Sequence, residues 1–220
     1  MALAQVRFAP IYALEQPAAI AEFQKCLGRR YVAREDVPKV PPGNAGMTWL
    51  FRDKERSWTV SVTSTSLGLE AQTYVDFDDF VAELKQVLQD FEAVFEPQTE
   101  VRLGVRYINH IEDERLTKRG ISFFVNEQLA GPVGRDLGNE LQHSLCELRF
   151  RERETWVALR HGLIDQGTYL LDFDQFIEGE RDFSPPDIVK RVNRFHDLIE
   201  RLFVWSLSGR YLKELEGRRK

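Results

Sequence analysis

Four polar residues that could bind an anion lie close together in the segment 99–112. Arg106, Tyr107, Asn109 and His110 follow an alternating run of apolar and polar residues that is typical of a strand. Arginine offers a planar fork of donors and asparagine offers both a donor and an acceptor, so this strand end could hold an anionic or aromatic ligand. The alternative is structural: Arg106 pairs with a carboxylate on a neighbouring strand and Asn109 turns the chain.

Two carboxylates, Asp172 and Asp174, are the second candidate for chemistry. Residues two apart in a strand share a face, so this pair could hold Mg²⁺ or act as an acid and a base. No third carboxylate at a fixed spacing and no glycine-rich phosphate loop accompanies the pair. The alternative is that these carboxylates form ion pairs with Arg149, Arg151 or Arg160.

The histidines show no metal-binding spacing, although His143 and His161 could face each other across adjacent strands. The chain has no nucleophile-elbow motif and no Cys-x-x-Cys. We therefore expect no enzymatic activity, no cofactor and no resident metal. A metal-dependent hydrolase that uses Asp172 and Asp174 ranks third among the functions that the sequence allows.

Aromatic residues near the end of the chain form the third candidate site. Trp205 and Tyr211 extend apolar surface beyond the main stripe of the last long helix. They either close the core or form a docking face for a protein partner, because aromatic residues supply much of the binding energy of protein interfaces.

Composition excludes several classes of function. The net charge of −5 argues against a nucleic-acid binder, which would need clustered lysines and arginines. No apolar run is long enough for a membrane span, so we expect no membrane association. Cys26 and Cys146 lie far apart in segments that look apolar, and we interpret them as buried thiols in a reducing compartment. We therefore expect a cytoplasmic protein.

Hydrophobic periodicity, caps and turn residues predict the elements that position these side chains. The surest is a helix over 77–95, which Asp76 caps, and the last long helix begins with Ser184 as its cap and Pro185 at its first position. Other predicted helices and loops are a helix over 17–27 that ends at Gly28, a loop over 34–46, and a break or end of the last long helix at Gly209. Predicted strands cover 3–12, 47–52, 57–63, 67–74, 99–112, 141–151, 155–163 and 168–176.

This order predicts an α+β protein with two similar halves. Residues 1–97 have the order β-α-β-β-β-α and residues 98–220 the order β-β-β-β-α, and we expect each antiparallel sheet to be covered by a long helix within one compact domain. A related possibility is the tandem arrangement of bacterial small-molecule-sensing domains, in which two such units enclose a central cleft.

Several short segments carry a resemblance to known proteins. They are Gln5-Val6-Arg7-Phe8, Leu103-Gly104-Val105-Arg106-Tyr107-Ile108-Asn109 and Leu171-Asp172-Phe173-Asp174. Together they resemble a sporadically distributed family of uncharacterised bacterial proteins of about this length. The resemblance implies no activity or active site, but a patchy distribution is usual for defence genes. It therefore implies a role beside a toxin or an anti-phage effector.

The sequence thus favours a non-enzymatic bacterial accessory or regulatory protein that acts through protein–protein binding. Its expected partner is a protein encoded nearby or a second copy of the chain, bound through the strand end near Asn109, the proline-rich loop or the C-terminal helix. The alternative is a small-molecule sensor in which Arg106 and Tyr107 hold an anionic or aromatic ligand in a cleft between the two halves.

Overall fold

The computed structural model describes residues 1–38, 47–74, 76–116, 120–131, 141, 143–165 and 167–218. Within them the chain combines antiparallel strands with α-helices, which confirms the predicted α+β class. The strands are β1 (Ala2–Phe8), β2 (Ala33–Pro38), β3 (Met47–Arg52), β4 (Trp58–Thr63), β5 (Ser66–Ala71), β6 (Thr99–Glu112), β7 (Cys146–Glu152), β8 (Thr155–Asp165) and β9 (Thr168–Asp182). The helices are α1 (Pro17–Leu27), α2 (Phe77–Phe95), α3 (Glu127–Ala130), α4 (Pro185–Ser206) and α5 (Gly209–Arg218).

The strands are hydrogen-bonded in the order β2-β3-β4-β5-β1-β6-β9-β8-β7. The pairs β1–β5, β2–β3, β3–β4, β4–β5 and β7–β8 are antiparallel with a continuous register. The chain forms two compact units that interleave along the sequence. Unit 1 comprises Met1–Arg106 and Phe176–Phe195, and unit 2 comprises Tyr107–Gln175 and His196–Lys220. The expectation that residues 1–97 and 98–220 form two similar halves stays a prediction.

The core of unit 1 is rich in aromatic rings. Phe23 of α1 makes edge contacts with Phe51 of β3 and with Phe91 of α2, each with ring centroids 5.7 Å apart. Trp49 is buried, and its Nε1 donates to the Leu14 carbonyl at 2.7 Å. These contacts hold both helices against the sheet by burying apolar area.

The amphipathic helices begin where the sequence predicts. Asp76 accepts a hydrogen bond from the Asp78 N–H at 2.6 Å and so caps α2. Ser184 precedes Pro185, the first residue of α4, and its Oγ accepts a long hydrogen bond from the Asp187 N–H at 3.4 Å. Gly28 follows α1 with φ of 62°, a conformation that glycine adopts without strain.

Unit 2 contains the second half of β6, the strands β7 and β8, and the first half of β9. Phe173 of β9 contacts Phe203 of α4 with centroids 6.3 Å apart. Arg115, just beyond β6, donates to Asp113 and also to both carboxylate oxygens of Glu214 in α5, at 3.0 and 2.7 Å. These hydrogen bonds fix α5 against the segment that follows β6.

The predicted loop over 34–46 is wrong for its first part. Residues Ala33–Pro38 form β2, which pairs with β3 from Ala33 opposite Arg52 to Pro38 opposite Met47. Because β2 is the first strand of the sheet order and Pro38 is its last residue, the missing proline N–H is tolerated. The order of the first half is therefore β-α-β-β-β-β-α. Residues 39–46 of the predicted loop lie outside the described part of the chain.

The prediction that both cysteines are buried is also wrong, since Cys26 and Cys146 are exposed. Cys26 lies on α1, whose buried positions are Ile20, Phe23 and Leu27, and Cys146 lies on the terminal strand β7. The thiols therefore give no argument about the redox compartment. The end of the last long helix also differs slightly from the prediction. Helix α4 was expected to end or kink at Gly209, but it ends at Ser206, and Gly209 is the first residue of α5.

Candidate functional site

The strand end that the sequence singled out does not bring its four residues together. Tyr107 and Asn109 alternate with Arg106 and His110, so the two pairs lie on opposite faces of β6. The Tyr107 hydroxyl is 3.0 Å from Nδ1 of His196, and Asn109 Nδ2 donates to the Leu171 carbonyl at 3.4 Å. Tyr107 is buried and His110 is exposed. A single ligand therefore cannot contact Arg106 and Asn109 from one face of a regular strand.

The predicted carboxylate pair lies in a network of charges across β7, β8 and β9. Asp172 is 2% exposed, and Arg160 Nη1 donates to its Oδ2 at 3.3 Å. Arg160 Nε also donates to Glu147 Oε2 at 2.6 Å, and Arg149 donates to the same carboxylate. Hydrogen bonds from Arg149 and Arg160 lower the pKa of Glu147. The predicted alternative, in which Asp172 pairs with Arg160, is thus present.

This network disfavours a cation beside Asp172, because the Arg160 guanidinium already faces that carboxylate. Asp174 is half-buried on the same face of β9. Among the residues that the structure describes, no group of three or more His, Cys, Asp and Glu side chains could hold a metal ion. None of the described helices combines the length and apolar character that crossing a membrane requires.

His161 is buried in unit 2, where its Nδ1 is 2.8 Å from the Tyr169 hydroxyl. His143, its suggested partner, is exposed and lies outside any strand. Burial lowers the pKa of His161 below its usual value and raises the pKa of Tyr169 well above its usual value. Burial therefore favours the neutral form of His161 in the folded protein.

We expect this histidine to make the protein less stable in acid. Because the pKa of His161 is lower in the folded protein, its contribution is complete above the unfolded value of about 6.5 and is lost as the pH falls through the folded value. Urea unfolding at about pH 7.5 and about pH 5.5 should show this loss in the wild type and less of it in His161→Gln. His110→Gln is the matched control, since His110 is exposed. Equal pH dependence in all three proteins would contradict the assignment.

The two C-terminal aromatic residues occupy different environments. Tyr211 is 9% exposed, and its ring makes an edge contact with Phe124 at 5.0 Å between centroids. Its N–H donates to Ser208 Oγ at 3.1 Å, which caps the start of α5. Trp205 is 41% exposed near the end of α4, and its carbonyl accepts from Asn126 Nδ2 at 2.9 Å. Tyr211 therefore belongs to the core, whereas Trp205 offers an accessible ring.

An exposed apolar surface in unit 2 lies on β7, which sequence reasoning did not single out. Every residue of β7 is exposed, including Leu148 at 42% and Phe150 at 37%. Their cross-strand neighbours on β8, Leu159 and Val157, are each only 1% exposed. The apolar face of the sheet therefore continues from β8 onto β7, but its side chains are buried on β8 and exposed on β7.

The backbone edge of β7 is open as well. This strand is the last in the sheet order, and no described strand pairs with its outer side. The Ser144 N–H donates to the Leu163 carbonyl at 2.8 Å, in line with the pairing of Cys146 with His161. In an antiparallel ladder the bonded residues alternate, so the N–H and C=O groups of Glu147, Arg149 and Arg151 point away from β8.

The second face of β7 is charged. Glu147, Arg149 and Arg151 project from it, and the Arg151 guanidinium lies 5.6 Å from the centre of the Trp156 ring. Trp156 is itself 41% exposed. We call β7, with its apolar face, its charged face and its open backbone edge, the β7 edge. The sequence signal was the alternation Cys-Glu-Leu-Arg-Phe-Arg-Glu, but alternation alone does not show that the apolar face lacks a cover.

Unit 1 contains an open groove of about 650 Å³ between α1, β4 and α2. Its lining residues are Cys26, Arg30, Trp58, Asp79, Ala82, Glu83 and Gln86. The Arg30 guanidinium donates hydrogen bonds to Glu83 and to Asp90, with 2.6 Å between Nη2 and Asp90 Oδ2. The Tyr31 hydroxyl also donates to Glu83 at 3.0 Å, and burial followed by the Glu83 charge raises its pKa well above the usual value. Neighbouring side chains thus already satisfy the polar groups of Arg30 and Glu83.

No protein-family model matches this chain. No curated protein matches it significantly either.

Proposed function

We propose that this protein is a non-enzymatic accessory protein that acts by binding an extended segment of another polypeptide along the β7 edge. The observation that carries the proposal is the combination, on one terminal strand, of exposed Leu148 and Phe150 with outward backbone groups that no strand in the described part of the chain pairs with. A strand added to a sheet edge gains main-chain hydrogen bonds, and its alternate side chains find apolar contacts.

The chemistry of the β7 edge supports docking over simple solvation. Sheet edges in soluble proteins are commonly protected by charges, prolines, bulges or very short strands. β7 has seven residues and no proline, and its charges all lie on the face opposite Leu148 and Phe150 or at its end. Alternate side chains of an added strand would pack beside Leu148 and Phe150 on one face and could pair with the charges of β7 on the other.

The other predicted functions have weaker support. A sensor that holds an anion with Arg106 and Tyr107 would need adjacent residues to face one ligand, yet adjacent strand residues point to opposite faces. A hydrolase that uses Asp172 would need a cation beside the Arg160 guanidinium. Three further expectations stay predictions from the sequence and from its resemblance to the bacterial family. They are the cytoplasmic location, the repeat of two halves, and the role beside a toxin or an anti-phage effector.

Site-specific photo-cross-linking tests the proposal in the native host. A benzoyl-phenylalanine at position 150 should give one dominant covalent adduct with a polypeptide, because the probe lies on the proposed docking face. The matched control carries the probe at Tyr12, an exposed aromatic residue of unit 1 with 75% accessibility. Docking on β7 predicts a discrete adduct from position 150 and none of that mass from position 12. The absence of a discrete adduct from position 150 would overturn it.

A further inference from the structure

We propose that the polypeptide docked on the β7 edge is a second copy of this chain; this inference rests on the proposed function. The two β7 strands pair antiparallel about a two-fold axis that passes between the two Arg149 residues. Such pairing extends the sheet across the axis and makes an isologous interface, in which each contact occurs twice.

The sequence of β7 is complementary to itself in this register. With Arg149 at the centre of Cys146–Glu152, all seven residues of each strand are paired. Leu148 lies opposite Phe150 of the second copy on the apolar face, and Glu147 lies opposite Arg151 on the charged face. Opposite charges and apolar pairs directly across a strand pair both stabilise it.

The backbone geometry permits the same register. The N–H and C=O groups of Glu147, Arg149 and Arg151 point to the open side of β7, because the alternate residues bond to β8. In the proposed pairing Arg149 faces its own symmetry mate, and Glu147 faces Arg151. Both are hydrogen-bonded pairs, so the outward groups of one strand meet those of the other.

One contact in this arrangement is unfavourable by itself, since two Arg149 residues meet at the axis. Each Arg149 donates to Glu147 of its own chain, however, and therefore brings a carboxylate to the axis. Neighbouring registers are worse matched. Centring on Phe150 would place Arg149 opposite Arg151. Centring on Leu148 would place Glu147 opposite Arg149, but it would pair only residues 146–150 within the strand and leave Arg151 opposite Leu145, which precedes the strand.

The area available sets the expected strength. One seven-residue strand pair is small beside the roughly 1,600 Å² of a standard stable interface, so we expect a reversible dimer with a dissociation constant on the order of micromolar. The dimer should therefore appear as the protein concentration is raised through that range.

A charge-exchange experiment tests the register with purified full-length chains. Arg151→Glu places Glu147 opposite a glutamate at both symmetric positions, and Glu147→Arg places an arginine opposite Arg151. Each variant alone should associate about tenfold more weakly than the wild type, since like charges directly across strands are unfavourable. An equimolar mixture of the two variants restores both opposite-charge pairs and should recover association. Sedimentation velocity over a concentration series gives the dissociation constants.

Each outcome is decisive. Concentration-dependent dimerisation of the wild type with recovery in the mixture supports the proposed register. A wild type that stays monomeric at all concentrations overturns the second copy as the partner, and this result needs no variant to fold. Dimers that neither variant weakens also overturn the β7 pairing. If the chain is monomeric and the position-150 adduct contains a different protein, the homodimer fails while docking on β7 stands. If no discrete adduct forms at all, both fail.

Discussion

Replacing Arg191 with alanine should lower the free energy of unfolding by about 3–5 kcal/mol. Arg191 Nη2 lies 2.7 Å from Glu100 Oε1, and the Glu100 side chain is only 1% exposed. These two atoms are close, but their alignment is not that of a good hydrogen bond. Within the described residues, neither carboxylate oxygen of Glu100 accepts a hydrogen bond. The attraction of the Arg191 charge is therefore the main compensation for burying this carboxylate. Its removal leaves the buried carboxylate with only the weaker attraction of the Arg181 charge.

The pH dependence gives this prediction a second measurement. Burial raises the pKa of Glu100, and the Arg191 charge offsets only part of that effect. A carboxyl whose pKa is raised in the folded protein contributes stability below its unfolded value that is lost as the pH rises through the folded value. The Arg191→Ala variant should therefore lose more stability at about pH 7.5 than at about pH 5.

Urea unfolding of a small set of variants checks the role of this pair. Arg194→Ala removes an exposed arginine from the same helix and should cost about 0.5 kcal/mol or less. The double variant Glu100→Leu/Arg191→Met, which replaces the pair with apolar side chains, should recover much of the stability that Arg191→Ala loses. Similar losses in Arg191→Ala and Arg194→Ala would show that the buried pair is not what Arg191 stabilises.

Tyr211→Ala should destabilise the protein by about 3 kcal/mol, because it removes a buried ring and leaves a cavity beside Phe124. Trp205→Ala should cost about 1 kcal/mol or less, since much of that ring is already in water. Thermal or urea unfolding of the two variants makes the comparison. Both residues were candidates for partner binding, and this result would leave only Trp205 as an accessible one. Equal losses would contradict the difference in their environments.

The elements that sequence patterns predicted best are those with strong local signals. Helix α2 combines a wide apolar face with the Asp76 cap, and α4 combines the Ser184 and Pro185 start with its own buried stripe. These signals depend on residues within one or two turns, so no tertiary information is needed to read them. β2 was missed because Pro38 and the residues after it look like a loop, and only pairing with β3 makes 33–38 a strand.

The candidate site was harder to predict because it depends on what covers each face. Arg106, Tyr107, Asn109 and His110 are close in sequence, but the alternation of a regular strand separates them onto two faces. Sequence alternation identified the strand that contains Leu148 and Phe150. It could not show that this strand is the last of the sheet, which is what exposes those side chains. The position of a strand in a sheet is set by long-range pairing.

The most direct test of docking on β7 combines the position-150 cross-link with Arg149→Pro. This substitution removes an N–H that points to the open edge and leaves the bonds to β8 in place, so a terminal strand should tolerate it. Docking on β7 predicts that the dominant adduct is lost in Arg149→Pro while the unfolding midpoint stays close to that of the probe-bearing parent. An undiminished adduct from a folded Arg149→Pro protein would contradict strand addition at the β7 edge.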